Sequence, residues 1–215
     1  MIIMNNFNLH PLFNTPIALT NLPLNNDEQS KLMQHINSQD WENANQGDDD
    51  VYDSNKSKQN KDLYALENSQ LLFLKNKIID TFYTYKNKIL RYEDVDFKVT
   101  TSWFTKTEYG QKSDYHKHSN CMFSAVFYIN QPENSGNIMF TKFEDKRFNI
   151  KPTEYNIYNS GAWRFIPQKH DLIIFPSETY HKIETHLSKE NRYSLALNFV
   201  PTGKIGIYDS QLELK

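Results

Sequence analysis

Two closely spaced histidines and one distant histidine are the residues of this chain whose spacing points most directly to chemistry. His116 and His118 stand two residues apart in SDYHKHSN, and His181 follows FPSETY at the start of a predicted strand. Side chains at i and i+2 of a strand share a face, so both imidazoles of the pair can converge on one point. The third can join them across a sandwich. Imidazole suits Fe(II), and three protein ligands leave positions open for a bidentate co-substrate and O2. The pattern therefore predicts a non-haem iron site.

A basic residue follows the distant histidine and extends this prediction. Arg192 comes 11 residues after His181, and Ser194 is expected on the same strand face as Arg192. A guanidinium can bind a carboxylate through two parallel hydrogen bonds, to which a serine hydroxyl can add a third. The order of these residues along the chain predicts a metal centre with a clamp for the far carboxylate of a co-substrate.

Composition excludes several other classes of function. The net charge of −2 gives no support for steering toward nucleic acid or anionic lipid. The single cysteine, Cys121, excludes an internal disulfide framework and a cysteine-based zinc site. The first residues lack the features of a signal peptide, and no apolar run has the length of a membrane span. We therefore expect a soluble, cytoplasmic protein.

The first half of the chain is predicted to be helical support. Residues 7–25 contain three prolines and suit an extended segment along a sheet, after which Asn26-Asp27 is a plausible N-cap for a helix. The polar stretch 38–62 is predicted to be a solvated loop, with a functional lid as the alternative. Apolar residues at helical spacing from Leu63 to about Ile89 predict a long amphipathic helix packed on a sheet.

The second half is predicted to be β structure. Short β-branched and aromatic segments separated by turn residues suggest about eight strands. These segments are 97–109, 121–130, 136–143, 149–158, 163–167, 171–176, 181–187 and 192–200. Strands at such spacing indicate an antiparallel sandwich or jelly roll with the helices against one outer face.

The sequence resembles the iron(II)- and 2-oxoglutarate-dependent oxygenases of the double-stranded β-helix fold. It is most similar to the members common in marine phages and bacteria, related to the prolyl-4-hydroxylase-like branch. The motifs are HKHSN, SAVFYIN, ENSGNIMF, DLIIFPSETYHKIE and RYSLALNFVPTGKIGIYDS, and the resemblance covers most of the chain. It implies a mainly β fold with α additions (α+β), a jelly-roll or cupin-like β-helix with N-terminal helices packed on one face. It also implies one domain over 1–215, with helical support over 1–95 and the β core over 96–215.

The resemblance assigns roles to individual residues. His116 and His181 stand where the family has its first and last iron ligands, and Arg192, with Ser194, matches the residue that binds the C5 carboxylate of 2-oxoglutarate. Tyr128 matches a strand tyrosine that hydrogen-bonds the same carboxylate.

One position departs from the pattern, because the wider family has a carboxylate where this chain has His118. Either His118 is the third ligand of a three-histidine site or a neighbour such as Asp114 supplies the carboxylate. The i, i+2 geometry favours His118. A neutral triad leaves the iron more positive and makes the site more dependent on the charge of 2-oxoglutarate.

The implied function is hydroxylation of an unactivated C–H bond with Fe(II), 2-oxoglutarate and O2, on a substrate that the family branch suggests is a protein or peptide. A non-catalytic or otherwise-reacting cupin-like module and a structural protein of a virus particle are the alternatives. Neither explains the retention of both Arg192 and Ser194 beside the histidines.

The remaining candidates are assigned more ordinary roles. We expect His10, His35, His170 and His186 on the surface, and Cys121 as a small buried residue. The aromatic residues expected in the sandwich core are Phe123, Phe127, Phe140, Phe165 and Phe175. The residues expected at the mouth of the site are Trp103, Trp163 and Arg164.

Overall fold

The computed structural model describes residues 12–44, 55–142, 148 and 150–214. Its helices are α1 (Asn26–Asn37) and α2 (Leu72–Thr84). Its strands are β1 (Ala18–Asn21), β2 (Trp41–Asn43), β3 (Lys58–Asn60), β4 (Asp96–Thr107), β5 (Phe123–Tyr128), β6 (Ile138–Thr141), β7 (Ala162–Phe165), β8 (Asp171–Pro176), β9 (Tyr180–Ile183), β10 (Arg192–Ile205) and β11 (Leu212–Leu214). No helix in the described part of the chain is both long enough and apolar enough to span a membrane.

Two antiparallel sheets form the double-stranded β-helix that the sequence predicts. The major sheet has the order β1-β8-β5-β10-β4-β3-β2, with β11 paired to the far end of β10. The minor sheet has the order β7-β6-β9. Sequence neighbours such as β4 and β5 are separated by β10, the crossing typical of a jelly roll rather than a meander. The predicted fold class is confirmed.

The two faces of the major sheet have different partners, and strand β5 shows why. Its sequence FSAVFY places Phe123, Ala125 and Phe127 on one face, in the core beneath the helices. On that side the ring of Phe82 from α2 stacks on Phe199, with ring centroids 3.9 Å apart. Tyr128, on the other face, belongs to a smaller apolar cluster between the two sheets. The period of two thus separates a helix-facing core from an interior that can hold a site.

The predicted aromatic core is divided between these two layers. Phe140 and Phe175 lie between the sheets with ring centroids 5.0 Å apart. Phe165 is half-buried and packs against this cluster.

The N-terminal segment runs along the sheet as predicted, because β1 pairs with β8 through Ala18 and Ile174. The predicted helix follows it, but the N-cap prediction is wrong by one residue. Asn25 is the cap: its side chain accepts a hydrogen bond from the N–H of Glu28, whose carboxylate accepts one from the N–H of Asn25. This reciprocal capping box makes Asn26 the first helical residue.

The long helix predicted from Leu63 begins only at Leu72. Residues 63–66 are bonded to β4 instead, since the N–H of Ser102 donates to the carbonyl of Leu63 and the Ser102 hydroxyl accepts from the N–H of Leu66. Two 3₁₀ turns then lead into α2. After α2 the chain continues as a π-helix over Tyr85–Ile89. There the buried Nζ of Lys86 donates to the carbonyls of Tyr92, Glu93 and Val95.

One loop prediction and one strand prediction also change. The stretch 38–62 contains strands β2 and β3, which extend the major sheet beyond β4. Its central part, which includes the acidic run 48–53, lies outside the described residues. The alternative that this stretch is a functional lid therefore stays a prediction.

The strand predicted at 149–158 is wrong: over 150–158 the chain forms turns. The side chain of Asn156 accepts from the N–H of Tyr158, and that of Asn159 accepts from the N–H of Asn156, so asparagine groups replace a strand partner.

Candidate metal centre and co-substrate pocket

The structure brings the three predicted ligand histidines together. His116, His118 and His181 each offer a ring nitrogen, and these atoms lie within 4.8 Å of one another. His181 is the second residue of β9, and its backbone is paired with that of His116 by two hydrogen bonds of 2.9 Å. The three histidines are thus placed where they could hold a metal ion, and their role as ligands stays a prediction.

The prediction that His116 and His118 converge because they lie on one strand is only partly right. His116 and His118 lie not in a regular strand but in the connection between β4 and β5. His116 is held by its isolated bridge to His181, and the N–H of His118 donates to the carbonyl of Ser177 in the turn before β9. Two separate backbone anchors therefore place alternate side chains on one point, as a strand would.

The hydrogen bonds of the imidazoles determine which nitrogen is free. Nδ1 of His116 lies 2.8 Å from the carbonyl oxygen of Asp114, and Nδ1 of His181 lies 3.0 Å from that of Thr179. A carbonyl can only accept, so both Nδ1 atoms carry the proton. Nδ1 of His118 lies 2.7 Å from Oδ1 of Asn198. Each Nε2 is then left with a lone pair, the arrangement in which histidines bind metals.

Burial keeps this triad neutral. It lowers the pKa of His116 and of His118. Burial, followed by the proximity of His116, lowers the pKa of His181 to about 3. Neutral imidazoles are the form that ligates, so the chemistry of this donor set fits a divalent iron ion.

Asp114, the alternative source of a carboxylate, does not join the cluster. Its side chain is 61% exposed, and its Oδ2 lies 3.8 Å from Nζ of Lys56. It contributes its backbone carbonyl to His116 instead. The described residues thus favour His118 over Asp114 as the third donor.

Arg192 lies in the sandwich interior at the start of β10. It is 1% exposed, and its two terminal nitrogens donate to the carbonyl of Gly136 and to Oγ1 of Thr107, both at 2.9 Å. Its Nε has no hydrogen-bond partner, and no carboxylate pairs with it among the described residues. Burial lowers the pKa of Arg192. Burial of a guanidinium without a counterion is unfavourable in free energy, so we expect an anionic group to bind next to Arg192.

Tyr128 and Ser194 complete this pocket. Ser194 pairs directly with Tyr128 across β10 and β5, and both lie on the face that carries Arg192. The Tyr128 ring lies 5.9 Å from the Arg192 guanidinium, and its buried hydroxyl has no hydrogen-bond partner. Burial raises the pKa of Tyr128 to about 12, so the hydroxyl keeps its proton. The Tyr128 hydroxyl, which lacks an acceptor, and the Arg192 guanidinium, which lacks a counterion, could both bind a carboxylate of 2-oxoglutarate.

Sequence reasoning missed Asn198, although it lies on the same face of β10 as Arg192 and Ser194. Its Oδ1 accepts from His118 and from Ser124, while its Nδ2 donates to Thr101. The signal was present in the sequence, because positions 192, 194 and 198 differ by multiples of two and carry polar residues in the largely apolar stretch 192–200.

The prediction of surface histidines is wrong at the three positions that the structure describes. His35, His170 and His186 are buried, whereas His10 lies outside the described residues. His170, for example, accepts from the N–H of Leu24 and lies 2.7 Å from the side-chain oxygen of Gln29. Cys121 is half-buried and donates to the carbonyl of Ser119.

The three residues expected at the mouth have different surroundings. Trp103 lies beside the predicted ligand His118, with ring centroids 5.8 Å apart. Trp163 lines an open cavity of about 1130 Å³ whose wall also includes Thr179 and Tyr180, the residues before His181. Arg164 forms an exposed ion pair with Glu184 and does not line this cavity.

Comparison with known proteins agrees with this architecture. Residues 101–198 match the family described as "Putative 2OG-Fe(II) oxygenase". No curated protein matches the sequence. Among solved structures, the chain is similar to a prolyl hydroxylase from Trichoplax adhaerens in complex with a peptide fragment of hypoxia inducible factor, with 15% identity, a TM-score of 0.60 and coverage of 86% of this chain and 83% of that one.

Two further structures share the fold. A prolyl-4-hydroxylase from Pseudomonas putida has 17% identity and a TM-score of 0.57, over 88% of this chain and 95% of that one. HygX from Streptomyces hygroscopicus, with nickel, 2-oxoglutarate and hygromycin B bound, has 10% identity and a TM-score of 0.58, over 87% and 84%. These likenesses establish the fold, and the segment matched by the family contains all three histidines, Tyr128, Arg192 and Ser194. By that match, residues 101–198 are similar to the 2OG-Fe(II) oxygenase family.

Proposed function

We propose that this protein is an Fe(II)- and 2-oxoglutarate-dependent dioxygenase that hydroxylates an unactivated C–H bond, on a protein or peptide side chain. In this proposal Nε2 of His116, His118 and His181 holds the iron. Arg192, Ser194 and Tyr128 bind the C5 carboxylate of 2-oxoglutarate. A cytoplasmic location is part of the proposal, supported by the lone Cys121, which fits a reducing compartment.

The observation that carries this proposal is the pairing of two incomplete sites in one interior. Three neutral imidazoles converge with free lone pairs, and the same layer between the sheets contains a buried cation and a buried hydroxyl without partners. 2-Oxoglutarate completes both, because one end of the molecule chelates a metal while the other presents a carboxylate.

The residues of this chain have defined tasks in such a reaction. The imidazoles hold the metal by neutral donors, so the two negative charges of 2-oxoglutarate are not opposed by a protein carboxylate. Arg192 and Tyr128 fix the far carboxylate by charge-assisted hydrogen bonds. Phe140 and Phe175, whose rings lie 5.8 Å and 4.7 Å from that of His181, keep water from the inner side of the centre.

Bound Fe(II), with O2 as oxidant, supplies the oxidising power. The overall reaction converts a C–H bond to C–OH and 2-oxoglutarate to succinate and CO2, with one atom of O2 delivered to the new hydroxyl group and the other to succinate.

Anaerobic titration tests the proposal. Addition of 2-oxoglutarate to the Fe(II)-loaded protein is expected to produce a weak visible metal-to-ligand charge-transfer band. The band should be lost in His181→Ala and kept in Cys121→Ser, a nearby change outside the ligand set. Absence of the band in the wild type, or its persistence in His181→Ala, would contradict the assignment.

A further inference from the structure

A row of three side chains links the metal centre to the rim of the minor sheet. Phe140 on β6 is paired with His181 on β9 and, on its other side, with Trp163 on β7. Paired residues share a face, and Phe140 faces the major sheet against Phe175. Trp163 therefore points into the sandwich, toward the side on which the ligand His181 lies. Phe140 is buried, whereas Trp163 is 42% exposed.

The surface of Trp163 is open because it borders the cavity beside the metal centre. Thr179 and Tyr180, next to His181, line this cavity, and so does the segment 14–17 before β1. Ile157 and Tyr158, each more than half exposed, add apolar surface. The volume of about 1130 Å³ exceeds that of ordinary small-molecule pockets, which run to about 1000 Å³.

These observations identify the kind of molecule that fits. The cavity is larger than an ordinary small-molecule pocket and extends from Trp163 to Thr179 and Tyr180 beside His181, so it suits a stretch of polypeptide chain. The charged residues of the cavity lining are one lysine, Lys142, and one glutamate, Glu178, so a strongly charged partner is not favoured. The wide apolar face of Trp163 suits an apolar side chain.

We propose that the cavity binds an extended peptide and that Trp163 holds an apolar side chain about three residues from the residue that is hydroxylated. Neighbouring strands are about 4.8 Å apart, so Trp163 and His181 are separated by roughly 10 Å across β6. An extended peptide spans this distance with about three residues. The inference rests on the proposed function for the position of the hydroxylated residue, and it makes Trp163 a determinant of specificity.

The test uses a pool of randomised peptides with the Fe(II)-loaded enzyme, 2-oxoglutarate and O2. Tandem mass spectrometry locates each residue that gains one oxygen atom. The wild type is expected to oxidise peptides with an apolar residue about three positions from the modified one. Trp163→Ala should lose this preference and oxidise the pool about 10-fold more slowly, as truncation of an anchoring tryptophan typically does. Trp163→Phe should keep the preference. An unchanged preference in Trp163→Ala, or no oxidised peptide at all, would overturn the inference.

Two controls separate this inference from the proposed function. Conversion of 2-oxoglutarate to succinate by the wild type without peptide reports the proposed function alone, and its absence would contradict that function while leaving the binding measurement below unaffected. Retention of the same peptide pool by immobilised, metal-free protein reports the binding site alone. Selective retention of apolar peptides by the wild type but not by Trp163→Ala supports the site whatever the turnover, and retention equal in both proteins contradicts it.

Discussion

The side-chain oxygen of Asn198 lies 2.7 Å from Nδ1 of His118, so strand β10 reaches both halves of the proposed active site. Arg192 opens the strand in the carboxylate pocket, and Asn198, on the same face, orients a proposed iron ligand. Trp103 on β4 lies across from Ala196, between these two positions, and packs beside His118. One strand face thus sets the position of the co-substrate relative to the metal.

Removal of the Asn198 acceptor should weaken metal binding. In Asn198→Ala, Nδ1 of His118 loses its strongest acceptor and the imidazole its fixed orientation, for which we expect a loss of about 10- to 100-fold in Fe(II) affinity. Anaerobic metal titration by calorimetry measures the change. Asn198→Asp keeps an acceptor oxygen and should keep most of the affinity. Equal affinities of Asn198→Ala and the wild type would show that Ser124, 3.0 Å from the same nitrogen, suffices.

Arg192 should be required for stabilisation by 2-oxoglutarate. A ligand at about 100 times its Kd stabilises the folded state by about 2.7 kcal/mol, which corresponds to roughly 5–10 °C in Tm for a chain of this length. This shift should appear when 2-oxoglutarate is added to the anaerobic Fe(II) wild type and vanish in Arg192→Met. The exposed Arg164→Met is the matched control and should keep the shift. A full shift in Arg192→Met would place the carboxylate elsewhere.

The parts of this molecule that could be predicted are those that depend on local periodicity and residue chemistry. The alternation in FSAVFY predicts the two faces of β5, and the order of His116, His118, His181 and Arg192 indicates the proposed site. What escaped prediction depends on distant partners. Leu63 and its neighbours have helical spacing but bond to β4, and the buried His170 depends on Gln29 from α1. Such contacts leave no trace in a short sequence window.

His170 should make the stability of the fold depend on pH. Burial lowers its pKa below the ordinary value of 6.5, and its Nδ1 accepts from the N–H of Leu24, a bond that protonation would break. The unfolded chain therefore binds a proton more readily than the folded one. The stabilisation is complete above about pH 6.5 and is lost as the pH falls below it.

Urea unfolding across this range measures the effect. His170→Asn removes the titrating group and suits the left-handed backbone at this position, where φ is 68°. We expect the variant to lose less stability than the wild type between about pH 7.5 and about pH 5.5. Parallel losses in the two proteins would assign the pH dependence to other groups, such as the buried His35 and His186.

Tyr128→Phe should have opposite effects on co-substrate binding and on folding. The buried hydroxyl has no partner in the described structure, so its removal relieves a desolvation cost of about 1–3 kcal/mol and should raise the free energy of unfolding in the absence of 2-oxoglutarate. The same change deletes a donor to the C5 carboxylate, where a hydrogen bond to a charged group contributes about 1.5–3 kcal/mol, so affinity for 2-oxoglutarate should fall at least about 10-fold. Urea unfolding and anaerobic titration measure the two quantities on one variant. If Tyr128→Phe is destabilised and binds 2-oxoglutarate normally, the hydroxyl has a hydrogen-bond partner within the protein instead. A gain in the free energy of unfolding together with a loss of affinity for 2-oxoglutarate is expected only when the ligand provides the missing partner.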